Sequence, residues 1–142
     1  MITPTPTALY PFWAPIRSQS LPAPHFSYTP VVRAGGCVFV SGLVALDPVL
    51  GTLIDEGMEA QTRQILNNFE RLSAELELGL DQLMLARIYC ADFAQFSAIN
   101  QVWEEFFSER IPPARTSVGV SALPLGALVE IEFQFAIDPL KP

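Results

Sequence analysis

Apolar and polar residues alternate with a period of two in several parts of the chain, as expected for strands with one buried face. Two β-rich runs flank Gly35-Gly36, which predicts a hairpin. The runs that we predict to be strands are residues 30–34, 37–41, 85–90, 116–122 and 128–136. A turn that contains Pro124 and Gly126 separates the last two runs.

Apolar residues recur at helical spacing in two other segments. The first covers residues 58–76 and is closed by Gly79, and the second covers residues 96–107 and must end before Pro112. The resulting order, ββαβαββ, predicts an α+β fold with a mixed sheet. Each helix has one apolar stripe to bury, so we expect both helices on the same face of that sheet.

The other face of the predicted sheet is partly polar. In the run 128–136, Glu130, Glu132 and Gln134 point away from the apolar residues between them. Such a face fits either water or a subunit interface that contains a site. Half of the residues are apolar and 16% are charged, so we expect part of the apolar surface to contact another subunit.

Proline recurs along the first 24 residues, where it fixes φ and removes hydrogen-bond donors. We therefore predict an extended N-terminal arm over residues 1–24, followed by a single domain over residues 25–142. Tyr10, Phe12 and Trp13 bring large apolar area to the arm, which indicates that it packs onto another part of the protein.

Charge and composition disfavour several classes of partner. The net charge of −7 repels phosphates, so we expect no nucleic-acid partner. No apolar run approaches the roughly 20 residues of a membrane helix, so we expect no membrane partner. The N-terminus has neither a basic start nor a continuous apolar segment, which predicts a cytoplasmic location. Cys37 and Cys90 have no Cys or His at metal-ligand spacing, so no metal site is predicted.

Several short motifs occur in a fixed order between residues 24 and 137. They are Tyr28 before the hairpin, Gly36-Cys37-Val38-Phe39-Val40-Ser41-Gly42, Asp47-Pro48 with Gly51, Gln61 with Asn68, Asn100, Pro113-Ala114-Arg115, and Leu123-Pro124 followed by Val129-Glu130-Ile131-Glu132. On these motifs the chain resembles the Rid family, the YjgF or RidA-like proteins. The hairpin motif and the two motifs that contain Arg115 and Glu130 make the resemblance specific.

The resemblance implies a chorismate-mutase-like fold and a homotrimer with three equivalent clefts between neighbouring subunits. It also implies an activity: the hydrolysis of 2-aminoacrylate and related enamine or imine acids to a 2-keto acid and ammonia. Neither a metal nor an organic cofactor is expected for this reaction. The expected ligand is a small carboxylate-bearing imine or keto acid.

Arg115 and Glu130 are the predicted catalytic residues. Arg115 follows a stiff Pro-Pro-Ala segment, and a guanidinium there would bind a substrate carboxylate through two charge-assisted hydrogen bonds. The family pattern makes Glu130 the residue that orients water against the imine carbon, a role that a carboxylate fills by accepting a proton. Glu132 shares this face, but the family pattern favours Glu130. Without the motifs, a surface ion pair and a solvated carboxylate would be the ordinary interpretations.

Four further residues match substrate-binding positions of the family: Tyr28, Asn100, Ser117 and Gly42. The Tyr28 hydroxyl borders the family's cleft, although the ring also suits an interface. Ser117 replaces a cysteine whose backbone N–H helps to bind the carboxylate, and that donor does not depend on the side chain. Gly42 would let the backbone approach the ligand or serve a turn, and Asn100 has helix capping as its alternative. The family pattern gives His25 no role.

The chain departs from the family pattern near the expected cleft, where Phe26, Pro30 and Leu43 make the pocket more apolar. Two alternatives therefore stay open. One is a dedicated pathway enzyme of the same fold that acts on a bulkier imine or enamine in degradation or specialised biosynthesis. The other is a non-catalytic module that binds small carboxylates through Arg115. The ribonuclease activity attributed to some relatives is disfavoured, because an acidic chain without a basic groove binds RNA weakly.

Overall fold

The computed structural model describes residues 12–140, which form a six-stranded mixed sheet and two helices. The strands are β1 (Ala14–Pro15), β2 (Val31–Ala34), β3 (Cys37–Leu43), β4 (Leu83–Cys90), β5 (Ala114–Gly119) and β6 (Val129–Ala136). The helices are α1 (Met58–Glu75) and α2 (Phe96–Phe106). The predicted order ββαβαββ is confirmed, and β1 adds a short strand before it. Among these residues, neither helix has the length and apolar character that a bilayer crossing requires.

The strands lie in the order β1-β2-β3-β6-β4-β5, and only β4 and β5 run parallel. That pair is parallel because α2 provides the crossover between the two strands. The predicted hairpin is confirmed, with Ala34 opposite Cys37 across the glycine pair. Strand β5 begins two residues before the predicted start and ends at Gly119, because its partner β4 ends opposite that residue at Cys90.

Both helices pack on one face of the sheet, as predicted. Four apolar residues of β6 point to this face and are at most 1% exposed: Val129, Ile131, Phe133 and Phe135. Phe69 of α1 stacks on Phe133 with ring centroids 3.7 Å apart, and Ile99 and Trp103 of α2 belong to the same buried cluster. Each such side chain contributes about 1.5–3 kcal/mol through burial, so this face carries the core.

Two buried polar residues of α1 fix the loops that lead into the open face of the sheet. Gln61 donates from Nε2 to the Ile54 carbonyl at 3.0 Å and accepts the Leu128 N–H at 2.9 Å. Asn68 donates from Nδ2 to the Leu46 carbonyl at 2.8 Å. Buried amides require such partners, and here the partners are backbone groups of the loops after β3 and before β6. These two motif residues therefore have a structural role.

The described part of the N-terminal arm is extended, and its strand β1 pairs with β2 at the edge of the sheet. Its apolar contact with the core comes from Ile16 and Leu21. Phe12 and Trp13, in contrast, are 86% and 39% exposed. Phe12 therefore contributes little to the packing of the arm, and Tyr10 lies outside the described residues.

A second contact of the arm is made to Glu75 at the end of α1. Its carboxylate accepts hydrogen bonds from the Ser18 hydroxyl at 2.8 Å and from the backbone N–H of Gln19 at 2.6 Å and of Ser20 at 3.1 Å. Desolvation raises the pKa of Glu75, but these hydrogen bonds outweigh it and lower the pKa from 4.5 to about 2. The arm is thus attached to α1 through one ionised carboxylate.

Candidate functional site

A cleft of about 380 Å³ opens on the sheet face that the helices leave uncovered. Strand β6 contributes Glu130 to its floor, β3 contributes Gly42, and the segment before β2 contributes Tyr28. Three of the six predicted site residues therefore meet in one cleft.

Gly42 lies in a β-bulge that makes room for the carboxyl group of Glu130. Val40 is opposite Phe133 and Leu43 is opposite Ile131, so two residues of β3 lie against a single residue of β6. A Cβ atom added at Gly42 would lie only 2.8 Å from the carboxyl carbon of Glu130. The glycine thus allows the backbone to approach Glu130, where the family pattern predicted an approach to the ligand.

Glu130 and Glu132 point to the same face but have different surroundings. Glu132 accepts a hydrogen bond from the Tyr89 hydroxyl and lies 3.7 Å from Nη1 of Arg87. Glu130 makes no hydrogen bond or ion pair with any residue between 12 and 140. Burial, and then the charge of Glu132, raise the pKa of Glu130. Glu130 is therefore the carboxylate available for proton transfer.

Tyr28 lies in a segment that is tied to β3. The Ser41 hydroxyl donates to the Thr29 carbonyl at 2.8 Å, and the Ser41 N–H donates to the Pro30 carbonyl at 2.8 Å. Burial, and then the charge of Glu130, raise the pKa of Tyr28, so its hydroxyl keeps its proton. Tyr28 is therefore a hydrogen-bond donor at the wall of the cleft.

Arg115 lies on the opposite face of the sheet. In the parallel register of β4 and β5 it is level with Ala86, which is buried under the helices, so Arg115 points to the helix-covered face. Its guanidinium carbon lies 5.6 Å from the ring centre of Phe96 and 5.4 Å from that of Trp103. It makes no hydrogen bond or ion pair with the residues that the structure describes.

Asn100 and Ser117 lie on the same side as Arg115. Asn100 of α2 lines a shallow depression together with Arg115. The Ser117 hydroxyl is buried and has no hydrogen-bond partner among the described residues. Because the Val120 N–H donates to the Cys90 carbonyl, strand alternation directs the Ser117 N–H away from β4, toward the open edge of the sheet.

The six predicted site residues thus form two groups on opposite faces of one protomer. Glu130 is level with Tyr89 and Val118, so Arg115 lies two strand spacings and three residues away. Strand dimensions make this a Cα separation of roughly 14 Å. One small substrate cannot contact both groups of a single copy. Across residues 12–140, no three His, Cys, Asp or Glu side chains converge to bind a metal ion.

His25 and Leu125 have no role in the sequence motifs, whereas Phe26 is predicted to lie near the cleft. His25 and Leu125 line it together with Phe26, and the His25 Nε2 lies 3.0 Å from the Gly51 carbonyl. Leu125 has φ 61° and ψ 14°, a left-handed conformation that leucine rarely adopts. The Pro-Leu-Gly sequence predicts a turn, but nothing in it assigns this conformation to the leucine.

Comparison with known proteins identifies the family. A family model described as "Endoribonuclease L-PSP" matches residues 18–137. A solved structure of YyfA from Yersinia pestis, described as a member of the conserved Rid protein family, has a TM-score of 0.82 and 30% identity, covering 88% of this chain and 99% of that one. The chain belongs to the Rid family.

Relatives in the Rid family include proteins with different names. A "RutC family protein" of Aquifex aeolicus is 35% identical, over 82% of this chain and 94% of the relative. The chloroplastic "Reactive Intermediate Deaminase A" of Arabidopsis thaliana is 32% identical, over 82% of this chain and 62% of the relative. Rid membership confirms the resemblance that the motifs indicated, and the shared fold confirms the predicted α+β architecture.

Proposed function

We propose that this Rid protein hydrolyses imines and enamines of 2-keto acids to the keto acid and ammonia, at sites formed between copies of the chain in a homotrimer. One observation carries the proposal. Arg115 and Glu130 each lack a charged partner among the described residues, and they lie on opposite faces of the protomer. The name of the Arabidopsis relative supports the reaction type.

Two copies that place these faces together would complete the site. The β5 edge of one copy would meet the cleft of the next, which is a contact between two different surfaces. Contacts of this type form closed rings when the rotation between copies allows it. A ring of three agrees with the family expectation and contains three equivalent sites.

Arg115 would bind the substrate carboxylate. A guanidinium donates two parallel N–H hydrogen bonds to the two carboxylate oxygens, and Arg115 needs to release no existing ion pair to do so. The Ser117 N–H lies two residues further along β5, at the open edge of the sheet, and would offer one more donor. Asn100 of α2 lies beside Arg115. The substrate carboxylate is thus placed by one copy.

Glu130 of the neighbouring copy would perform the proton transfers. It accepts a proton from water as the water oxygen bonds to the carbon of the protonated imine and the C=N π electrons move to nitrogen, which gives a tetrahedral amino alcohol. Glu130 then returns that proton to the nitrogen. As the C–N bond breaks, Glu130 accepts the hydroxyl proton, the C=O bond forms, and ammonia and the keto acid leave. Burial raises its pKa and makes it a stronger base than an exposed glutamate. The Tyr28 hydroxyl would donate to the reacting oxygen or nitrogen.

The chemistry makes modest demands on the protein. Imines hydrolyse slowly in water without a catalyst, so orientation and general acid–base assistance of about 10²- to 10⁴-fold would be useful. Orientation and acid–base assistance require only the side chains named above. A purely binding role would need Arg115 alone, whereas the cleft also contains a partly buried carboxylate without a partner. RNA cleavage, which the description of the family model suggests, is opposed by the net charge of −7.

The test uses two variants that each lose one half of the site. Arg115→Ala and Glu130→Gln are first assayed alone, with imines generated in situ by an amino-acid oxidase and keto-acid formation followed over the uncatalysed rate. The two variants are then co-expressed. Random mixing leaves both halves intact at one site in four, so we expect about a quarter of the wild-type activity in the mixture.

Three outcomes would contradict the proposal. A mixture as inactive as its components would place both residues in one protomer's site or remove one of them from the site. A protein that is monomeric in solution would remove the shared site. An RNA substrate cleaved by wild type, with no imine accelerated, would replace deamination by the activity in the family model's description.

A further inference from the structure

We infer that the substrate carries an apolar side chain larger than a methyl group, and that Leu125 and Phe26 select it. The inference rests on the proposed imine hydrolysis and adds the class of substrate. It follows from what remains in the cleft after the reacting groups have been assigned, and from the conformation of Leu125.

The walls of the cleft are mainly apolar. Six of its residues present carbon surface: Phe26, Phe39, Val44, Leu46, Pro124 and Leu125. A polar group of a substrate side chain would meet no matching partner on these walls and would lose its water, which is unfavourable. An apolar group would remove carbon surface from water on both sides.

The polar groups of the cleft are already engaged or are required by the reaction. The Ser41 hydroxyl donates to Thr29, and Glu132 is paired with Tyr89 and Arg87. The His25 Nε2 lies within hydrogen-bond distance of a carbonyl, that of Gly51. Glu130 and Tyr28 remain, and both belong to the proposed reaction.

The cleft is also large for an alanine-derived imine. Its volume of about 380 Å³ lies in the range of roughly 300–1,000 Å³ in which pockets take drug-sized ligands. A methyl side chain would leave much of this space to water. A side chain derived from leucine, methionine or phenylalanine would fill more of it.

Leu125 is kept in the cleft at a cost to the backbone. A left-handed conformation costs a leucine about 1–2 kcal/mol, and glycine adopts it freely. The side chain is also 43% exposed, so it recovers little from burial in the free protomer. A bound apolar group would supply the missing contact. The Phe26 side chain is also exposed, by 61%, although the Phe26 carbonyl accepts a hydrogen bond from the Tyr28 N–H.

The negative charge of the cleft disfavours substrates that carry a second carboxylate. Arg87 lies 3.7 Å from Glu132, but no Lys or Arg among the described residues lines the cleft, so a second carboxylate on the substrate would lie close to the uncompensated charge of Glu130. We therefore expect imines derived from glutamate or aspartate to be poor substrates, although their α-carboxylate fits Arg115 as well as any other.

The experiment compares imines derived from alanine, leucine, phenylalanine and glutamate. Their rates of hydrolysis are measured against enzyme concentration, and the slopes give kcat/KM. For wild type we expect the leucine-derived imine to exceed the alanine-derived one by about tenfold or more. Leu125→Ala should lower that ratio about tenfold. The matched control is Leu50→Ala, which removes a leucine that is 75% exposed in a loop and is not part of the cleft, and it should keep the wild-type ratio.

A second readout does not depend on catalysis. Titration with the stable keto acids pyruvate and 4-methyl-2-oxopentanoate measures the same preference in Kd, and Leu125→Ala should weaken only the second. Equal kcat/KM values for the alanine and leucine imines, or equal ratios in Leu125→Ala and Leu50→Ala, would overturn the inference and leave imine hydrolysis standing. If no imine is accelerated, the proposed function fails, and the inference fails with it.

Discussion

The two charged residues of the proposed site lie in surroundings with opposite effects: those of Arg115 stabilise its charge, and those of Glu130 destabilise it. Arg115 is exposed at the sheet edge and lies over the rings of Phe96 and Trp103, which favour a cation. Glu130 lies partly buried in an apolar cleft beside Glu132, which disfavours an anion. In the proposed reaction, the guanidinium that binds the substrate carboxylate would thus lie in surroundings that favour its charge, and the carboxylate that exchanges a proton would lie in surroundings that favour its neutral form.

The largest effect is expected from removing the charge at the exposed half. Arg115→Ala should lower kcat/KM for every imine about 10²- to 10³-fold, because it removes two charge-assisted hydrogen bonds to the substrate. Arg115→Lys should recover only part of this loss, since an ammonium is not bidentate. Steady-state rates with the imine series measure the effect.

The matched control for that variant is Arg110→Ala. Arg110 also lies over an aromatic ring, 4.9 Å from the centre of Phe106, but it is paired with Glu70 and lies outside both halves of the site. It should keep wild-type kcat/KM. If kcat/KM falls equally in Arg110→Ala and Arg115→Ala, the loss arises from removing an arginine that packs on an aromatic ring, and not from a lost contact between Arg115 and the substrate.

An intermediate effect is expected at Gly42, because the Glu130 carboxyl group occupies the space that a side chain at this position would take. Gly42→Ala places a Cβ against the carboxyl group of Glu130 and displaces it, so kcat should fall about 10- to 100-fold. The Kd for a keto acid should change little, because Arg115 is untouched. If the displacement is the cause, Glu130→Ala combined with Gly42→Ala should lose no more than Glu130→Ala alone, and additive losses would contradict it.

How far the sequence could predict this molecule is clearest at these same residues. Arg115 and Glu130 were identified from motifs, and the hydrophobic periods predicted the strands and helices around them. Their separation on opposite faces was not predicted. It depends on the register of β5 against β4 and on β6 lying on the other side of β4, and both are set by contacts between residues distant in sequence.

Other features of the site depend on contacts that no local pattern contains. The contact between Gly42 and Glu130 arises from a bulge, which requires knowing which residues face each other on β3 and β6. The conformation of Leu125 is decided by the path of the chain between β5 and β6. His25 carried no motif, and its position in the cleft follows from the path of the segment before β2.

The smallest effect is expected on stability, and its sign differs between the two glutamates of β6. The pKa of Glu130 is raised in the folded state, so this group favours folding below its unfolded pKa of about 4.3, and that contribution is lost as pH rises through the folded pKa. Glu130→Gln should therefore raise stability at pH 7, by less than about 1 kcal/mol, and leave it nearly unchanged at pH 4.

The control is Glu132→Gln, which removes a carboxylate that is bonded to Tyr89 and close to Arg87 and should lower stability at pH 7. Thermal unfolding of both variants at pH 4 and pH 7, at one protein concentration, measures the difference. A Glu130→Gln protein that melts below wild type at pH 7 would mean that the ionised carboxylate stabilises the fold.

The left-handed backbone at Leu125 has a consequence for laboratory evolution. Glycine at this position removes a backbone cost of about 1 kcal/mol, so a screen that rewards heat tolerance alone should enrich Leu125→Gly among its survivors. Those survivors would carry a wider and less selective cleft. A library of variants of this protein therefore needs a second screen with a leucine-derived imine. Without it, the gain in thermal stability will be accompanied by an undetected loss of substrate selectivity.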